Sequence, residues 1–200
     1  MIRILLIRHG HTELLGKVLY GRMTGIHLSE RGRQEIARLS RGLQERYQLD
    51  EIVSSPMGRA KETAEAIAAA CGSDVIFDEG LQELDFGEWM GKSFDELSRD
   101  EQWKLYNRKR SLTRAPGGEF MMQVQFRAWN ALERVIARHR HKPEATMAVV
   151  SHGDVIRGLL MLFLGMPLDH IHRLEVGTAS VSEVILGNLY PQVITINRTF

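Results

Sequence analysis

The sequence predicts an α/β fold: a three-layer α/β/α sandwich on a mostly parallel sheet, with an antiparallel edge and a small cap insertion at about residues 80–118. Three observations carry this expectation. Apolar runs of strand length alternate with stretches whose apolar residues recur at helical spacing. Two of those runs, Ile2 to Ile7 and Met147 to Val150, end in similar strings, Ile7-Arg8-His9-Gly10 and Ser151-His152-Gly153. The chain then closes with two neighbouring strand patterns, Ser180 to Leu186 and Gln192 to Asn197, which suit an antiparallel edge.

In order, Ile2 to Ile7 reads as a buried strand, followed by a loop carrying Gly10, Gly16, Gly21 and Gly25. A helix opens near Ser29 as N-cap, with Ile36, Leu39, Leu43 and Tyr47 on one face. Glu51 to Ser54 is a short strand. Ser55-Pro56 predicts an N-cap followed by proline at the first helical position, opening a helix whose face is Ala60, Ala64, Ile67, Ala68 and Cys71. Asp74 to Phe77 makes a third strand. From Gly80 the pattern loosens into a glycine-bearing loop, Leu81 to Gly91, then a short polar helix around Phe94 to Tyr106 and the basic stretch Arg108-Lys109-Arg110. Pro116-Gly117-Gly118 breaks it. A long helix over about Glu119 to His141 buries Met121, Val124, Ala128, Leu132 and Val135. Thr146 to Ser151 is a strand and Asp154 to Leu164 a helix. No repeat, low-complexity tract or linker interrupts the sequence, so residues 1–200 read as a single domain.

Composition narrows the function classes. A 200-residue chain with 44% hydrophobic and 26% charged residues has the material for one substantial core. The net charge of +1 argues against a nucleic-acid partner, so any anion recognition is local. The lone Cys71 cannot form an internal disulfide; with no signal-peptide pattern after Met1, a cytoplasmic location is expected. No apolar run is long enough for a membrane span.

The chemistry gathers at strand ends, where open α/β sheets place their ligand sites. A His-Gly pair by itself marks a turn, but Arg8 at the end of a buried strand needs an anionic partner. Arg59 stands at the start of a helix, where the dipole disfavours a cation; a surface position explains that too. A phosphate held by Arg8, Arg59 and the nearby helix amides offsets their mutual repulsion. His152 arrives at another strand end, with Gly153 admitting close backbone approach; alone it reads equally as a satisfied core histidine. A neutral His9 can attack phosphorus, and flanking cations keep it neutral. The proton for the leaving oxygen then comes from a carboxyl group in the loop after the third strand, where Glu83, Asp85 and Glu88 compete. Leu84 and Phe86 can desolvate Glu83 and raise its pKa.

Five ordered blocks carry a family resemblance: Arg8-His9-Gly10; Ser54-Ser55-Pro56-x-x-Arg59-Ala60-x-x-Thr63-Ala64; Leu81-x-Glu83-x-Asp85-Phe86-Gly87-x-Trp89-x-Gly91; Pro116-Gly117-Gly118-Glu119; and Val150-Ser151-His152-Gly153. Together they resemble the histidine phosphatase superfamily, which includes cofactor-dependent phosphoglycerate mutases and broad-specificity phosphatases. The resemblance implies His9 as phosphorylated nucleophile, Arg8, Arg59 and His152 as phosphate ligands, and Glu83 as proton donor, with no metal and no cofactor. Its substrate would be a small phosphorylated metabolite, and the chain a monomer or homodimer. Three departures stand out. Leu15 occupies a position where many members carry a phosphate-contacting asparagine, so Arg22 or a backbone amide of the Gly16 to Gly21 loop is the candidate replacement, with Arg22 equally readable as a solvated loop residue. The segment Met23 to Glu30 is one residue longer than usual, and Phe120 stands where a serine is common.

The leading expectation is a metal-independent phosphomonoesterase. The alternative is mutase-type phosphoryl transfer, against which the short cap weighs. Two further readings are a metallohydrolase using His9, His11, His152 and a carboxylate, and a noncatalytic phosphate-binding module. The cap aromatics Trp89, Trp103 and Tyr106 are expected to pack locally, and Arg108 to Arg110 to form a solvated face.

Overall fold

A computed structural model describes residues 1–187 and 190–200. Among the described residues, β1 (Ile2–Arg8), β2 (Glu51–Ser54), β3 (Val75–Phe77), β4 (Ala145–Ser151), β5 (Val181–Leu186) and β6 (Pro191–Arg198) form one sheet in the order β3-β2-β4-β1-β5-β6. The first four run parallel, and β5 is antiparallel to both β1 and β6. The expected mixed sheet is therefore present. β5 lies inside it, and β6 forms the edge.

Alternate residues of the central strands feed two cores, because successive side chains point to opposite faces. Ile4, Leu6, Val53, Met147 and Val149 meet α5 (Met121–His139) and α6 (Gly153–Leu164) on one face. Leu5, Ile7, Ile52, Ala148 and Val150 meet α1 (Glu30–Arg46) and α2 (Gly58–Cys71) on the other. Burial on both faces explains why these strands read as continuous apolar runs. The stripe Met121, Val124, Ala128, Leu132 and Val135 of α5 is buried as expected, although the helix stops short of the expected bounds at both ends.

The helix starts separate local from tertiary control. Ser29 caps α1 as expected, its side chain accepting from the Gly32 N–H at 3.1 Å. Ser55 does not cap α2. That helix begins at Gly58, with Met57 at the cap position and no side-chain bond. The Ser55 N–H instead extends the β2 pairing to Val150 O at 3.0 Å, and its hydroxyl meets His152 Nε2 at 2.8 Å. A strand partner and a buried ring thus claim the residue that local preference assigned to the helix.

The cap also differs from expectation. The helix expected around Phe94 to Tyr106 is split into α3 (Phe94–Leu97) and α4 (Glu101–Arg108). Asp100 starts the second piece, accepting from the Gln102 and Trp103 N–H groups at 2.8 and 3.3 Å while Trp89 Nε1 donates to it at 3.2 Å. Trp89, Trp103 and Tyr106 pack edge-on or tilted within 5.3–5.9 Å of one another, as expected for local packing. The basic stretch is not one solvated face. Arg108 is exposed, but Arg110 is only 3% exposed, lies over the Tyr106 ring at 4.2 Å and pairs with Asp154 at 2.8 Å. An opposite charge and a ring face offset the desolvation of its guanidinium.

No helix among the described residues is long and apolar enough to cross a membrane. Leu6, fully buried in β1, reports on the integrity of the sheet. Leu6→Ala is expected to lower stability by about 2–5 kcal/mol, read as a reduced urea midpoint with unchanged slope.

Candidate active site

The register of β1 against β4 builds the site. Arg8 pairs with Ser151, so His9 and His152 leave neighbouring parallel strands in step. The His9 N–H donates to Ser151 O at 3.0 Å, and the two rings sit edge-on with centroids 5.2 Å apart. Gly10 then passes close to α1; a Cβ there would lie 2.9 Å from both Gly32 O and Ile36 Cγ1, so only glycine fits.

His9 is 1% exposed. Its Nδ1 lies 2.8 Å from Gly10 O, a carbonyl that can only accept, so the proton is on Nδ1 and the lone pair on Nε2. Arg59 Nε donates to that Nε2 at 3.2 Å. Burial, then Arg59 and Arg8, hold the His9 pKa well below its ordinary value; the ring is neutral at pH 7. The same influences, with His9 added, depress His152.

Around this ring the polar groups are under-satisfied. Arg59 is wholly buried at the start of α2, with Nη2 donating to Gly21 O at 2.8 Å and its guanidinium 4.7 Å from the Tyr20 ring centroid. Arg8 donates through Nη1 to Val176 O at 2.7 Å. Arg8 Nε, Arg59 Nη1 and His152 Nδ1 are buried without a hydrogen-bond partner among the described residues. Native interiors satisfy nearly all such groups, so three around one ring call for a functional explanation. Gly153 begins α6 within this wall, beside the Arg8 and Arg157 guanidiniums.

A cavity of about 240 Å³ opens over His9. Arg8, Glu83 and Gly153 line it, together with the apolar Leu15, Val18, Phe94 and Trp103 and the polar Asn107, Arg110, Asp154, Arg157 and His172. The structure thus brings together Arg8, His9, Glu83 and Gly153, with Arg59 and His152 adjoining the His9 ring. It also separates the three carboxyl candidates. Asp85 Oδ1 accepts from the Gly87 N–H at 2.8 Å, and Glu88 is exposed; neither lines the cavity. Arg22 is not on the cavity wall: its Nε donates to Glu83 O and its Nη2 to Glu119, both at 2.8 Å. Leu15 is on the wall as an apolar residue. His11 turns to Ser29 Oγ at 2.8 Å, away from the cavity, and the Arg59 guanidinium stands at His9 Nε2, where a metal ligand set would need a cation.

Sequence reasoning missed Ser55 as the partner of His152, and it missed Asp154 and Arg157. Asp154 bonds Arg110 at 2.8 Å and Arg157 at 3.3 Å. A carboxylate in the first turn of a helix reads locally as a dipole partner, which hid its second role. A larger apolar hollow of about 720 Å³ between α5 and α6 has no titratable side chain in its lining among the described residues.

The sequence-family model of the histidine phosphatase superfamily (branch 1) matches residues 4–199. A bifunctional protein, Rv2228c, from Mycobacterium tuberculosis is 36% identical over 182 residues, 90% of this chain and 49% of the relative. This chain therefore spans about half the length of that relative. Probable phosphoglycerate mutase GpmB of Escherichia coli is 32% identical over 191 residues, covering 92% of this chain and 85% of the relative. A phosphoserine phosphatase from Entamoeba histolytica, solved with 3-phosphoglyceric acid, superposes with a TM-score of 0.85 at 28% identity, covering 100% of this chain and 98% of the other. With its paired strand-end histidines and a family match along nearly its whole length, the chain belongs to the histidine phosphatase superfamily, branch 1.

Proposed function

We propose that this chain is a metal-independent phosphomonoesterase that hydrolyses a small phosphorylated metabolite through a phosphohistidine on His9. One observation carries the reading: a neutral, buried imidazole with its lone pair on Nε2, ringed by buried polar atoms, two of them guanidinium donors, that have no partner among the described residues. A phosphate on Arg8, Arg59 and His152 supplies those donors with acceptors. It also neutralises two guanidiniums otherwise left facing each other.

In the first step His9 Nε2 bonds to phosphorus as the bond to the leaving oxygen breaks, and Glu83 passes its proton to that oxygen. In the second, water attacks phosphorus, its proton goes to the Glu83 carboxylate, and the phosphorus–nitrogen bond breaks to return neutral His9 and inorganic phosphate. Burial first, and the Asp154 charge second, raise the Glu83 pKa, which favours the protonated form the first step needs. Asp154 keeps its own charge: burial works against ionisation, but Arg110 and Arg157 hold its pKa at about 2. The cavity of about 240 Å³ lies below the roughly 300–1,000 Å³ of sites for drug-sized ligands, which supports a small leaving group. The similarity to GpmB favours mutase transfer as a second reading. Phosphate release assayed beside 3-phosphoglycerate isomerisation separates the two.

Rapid quench during turnover is expected to trap acid-labile, base-stable phosphate on His9, and His9→Ala to lower kcat by about 10³-fold or more. Turnover should survive EDTA and be blocked by vanadate. Label on another residue, or activity lost to chelation, overturns the reading. In the pH profile of the phosphorylation step, activity falls on the alkaline side as Glu83 loses its proton. Asp154→Asn removes a charge that raises the Glu83 pKa and frees Arg110 to lower it, so this limb is expected to move to lower pH.

A further inference from the structure

The loop that carries Glu83 lies between two short 3-10 turns, Glu79–Leu81 and Gly87–Trp89, and has no regular structure of its own. The Glu83 side chain makes one local contact, accepting from the Leu84 N–H at 2.9 Å. Its main chain, in contrast, is gripped from behind the cavity. Arg22 Nε and Arg127 Nη2 both donate to Glu83 O, at 2.8 and 3.0 Å. Arg127 Nη1 also donates to Gly80 O and Gln82 O, at 2.8 and 2.6 Å. One guanidinium from α5 thus spans the approach to the proton donor.

Two guanidiniums on one carbonyl repel each other unless an anion joins them, and Glu119 is that anion. Its Oε2 accepts from Arg22 Nη2 at 2.8 Å and from Arg127 Nη2 at 3.1 Å, and its Oε1 from Arg127 Nε at 3.1 Å. The same Oε2 accepts from the Asp85 N–H at 3.1 Å, and the Glu119 N–H returns a bond to Asp85 O at 2.9 Å. Gly118 permits this approach, since a Cβ there would lie 2.4 Å from Asp85 O. Glu119 therefore holds the loop directly at Asp85 and, through two arginines, at Glu83. Its side chain and those of Arg22 and Arg127 are each between 19% and 27% exposed, so solvent screens this cluster only in part.

We infer that Glu119 is a positioning residue for the proton donor, acting through Arg22 and Arg127 to hold the Glu83 carboxyl against the leaving oxygen. The inference deepens the phosphatase reading and rests on its assignment of Glu83. A structural role alone slows all substrates together; a positioning role is felt only where the leaving group needs a proton.

The test measures the rate of His9 phosphorylation by rapid quench in single turnover, with glycerol 1-phosphate, whose alkoxide must be protonated, and with p-nitrophenyl phosphate, whose phenolate departs unprotonated. Glu119→Gln keeps the shape but puts an amide N–H₂ among the guanidiniums. It is expected to slow the alkyl substrate by about 10²-fold, the cost of a misplaced general acid, and the aryl substrate by no more than about threefold. Arg22→Gln, which removes one of the two donors to Glu83 O, is expected to shift the same ratio by about tenfold. Retained aryl phosphorylation shows that each variant is folded. Equal loss on both substrates, or no loss on either, in either variant overturns the inference. Glu83→Gln, run in parallel, must show the selective loss at least as strongly. If it does not, the assignment of Glu83 fails and this inference with it; if Glu83→Gln is selective and Glu119→Gln is not, only the positioning role fails.

Discussion

The parallel pairing of β1 with β4 is the constraint on which both the core and the site depend. Arg8 lies opposite Ser151, and the next residue on each strand is a histidine. In the same register Leu5, Ile7, Ala148 and Val150 face α1 and α2, while Ile4, Leu6, Met147 and Val149 face α5 and α6. A slip of one residue would invert those faces and separate His9 from His152. The apolar area buried on both sides of the sheet is therefore what holds two polar rings side by side at its upper edge.

That edge is where the fold tolerates poor local energetics. A fully buried arginine on a neutral imidazole, with polar atoms on three side chains left without a partner among the described residues, is a costly arrangement in a low-dielectric interior. It persists because the surrounding strands and helices over-determine it. On the proposed reading, a phosphate offsets this cost by supplying charge and acceptors.

The cap contributes in a different way. Trp89, Trp103 and Tyr106 form a packed aromatic block, and Arg110 ties that block to the first turn of α6 through Asp154. The cavity wall is thereby fastened to the same helix start that carries Gly153. Asp154 connects the two functions of this region, since its charge anchors the cap arginine and also favours the protonated form of Glu83. The cap and the Glu83 loop thus share one electrostatic element.

The sequence alone determined the features that arise from near neighbours. The apolar runs of β1 and β4, the buried stripe of α5, the Ser29 cap and the paired strand-end histidines follow from periodicity and local hydrogen-bonding preference. Arg8, His9, Gly153 and Glu83 were legible as cavity residues because each ends or follows a strand, and strand ends share one crevice. What escaped were decisions between competing partners distant in sequence. Ser55 serves both as local cap and as hydrogen-bond partner, and only the approach of His152 chose the second. Arg110 looks like its neighbour Arg108 until Tyr106 and Asp154 enclose it, and Arg22 reads equally as a phosphate contact or a solvated loop residue, with no local sign of its pairing to Glu119. A charged side chain's role is set by whichever opposite charge the folded chain brings within reach, and only the tertiary structure decides that distance.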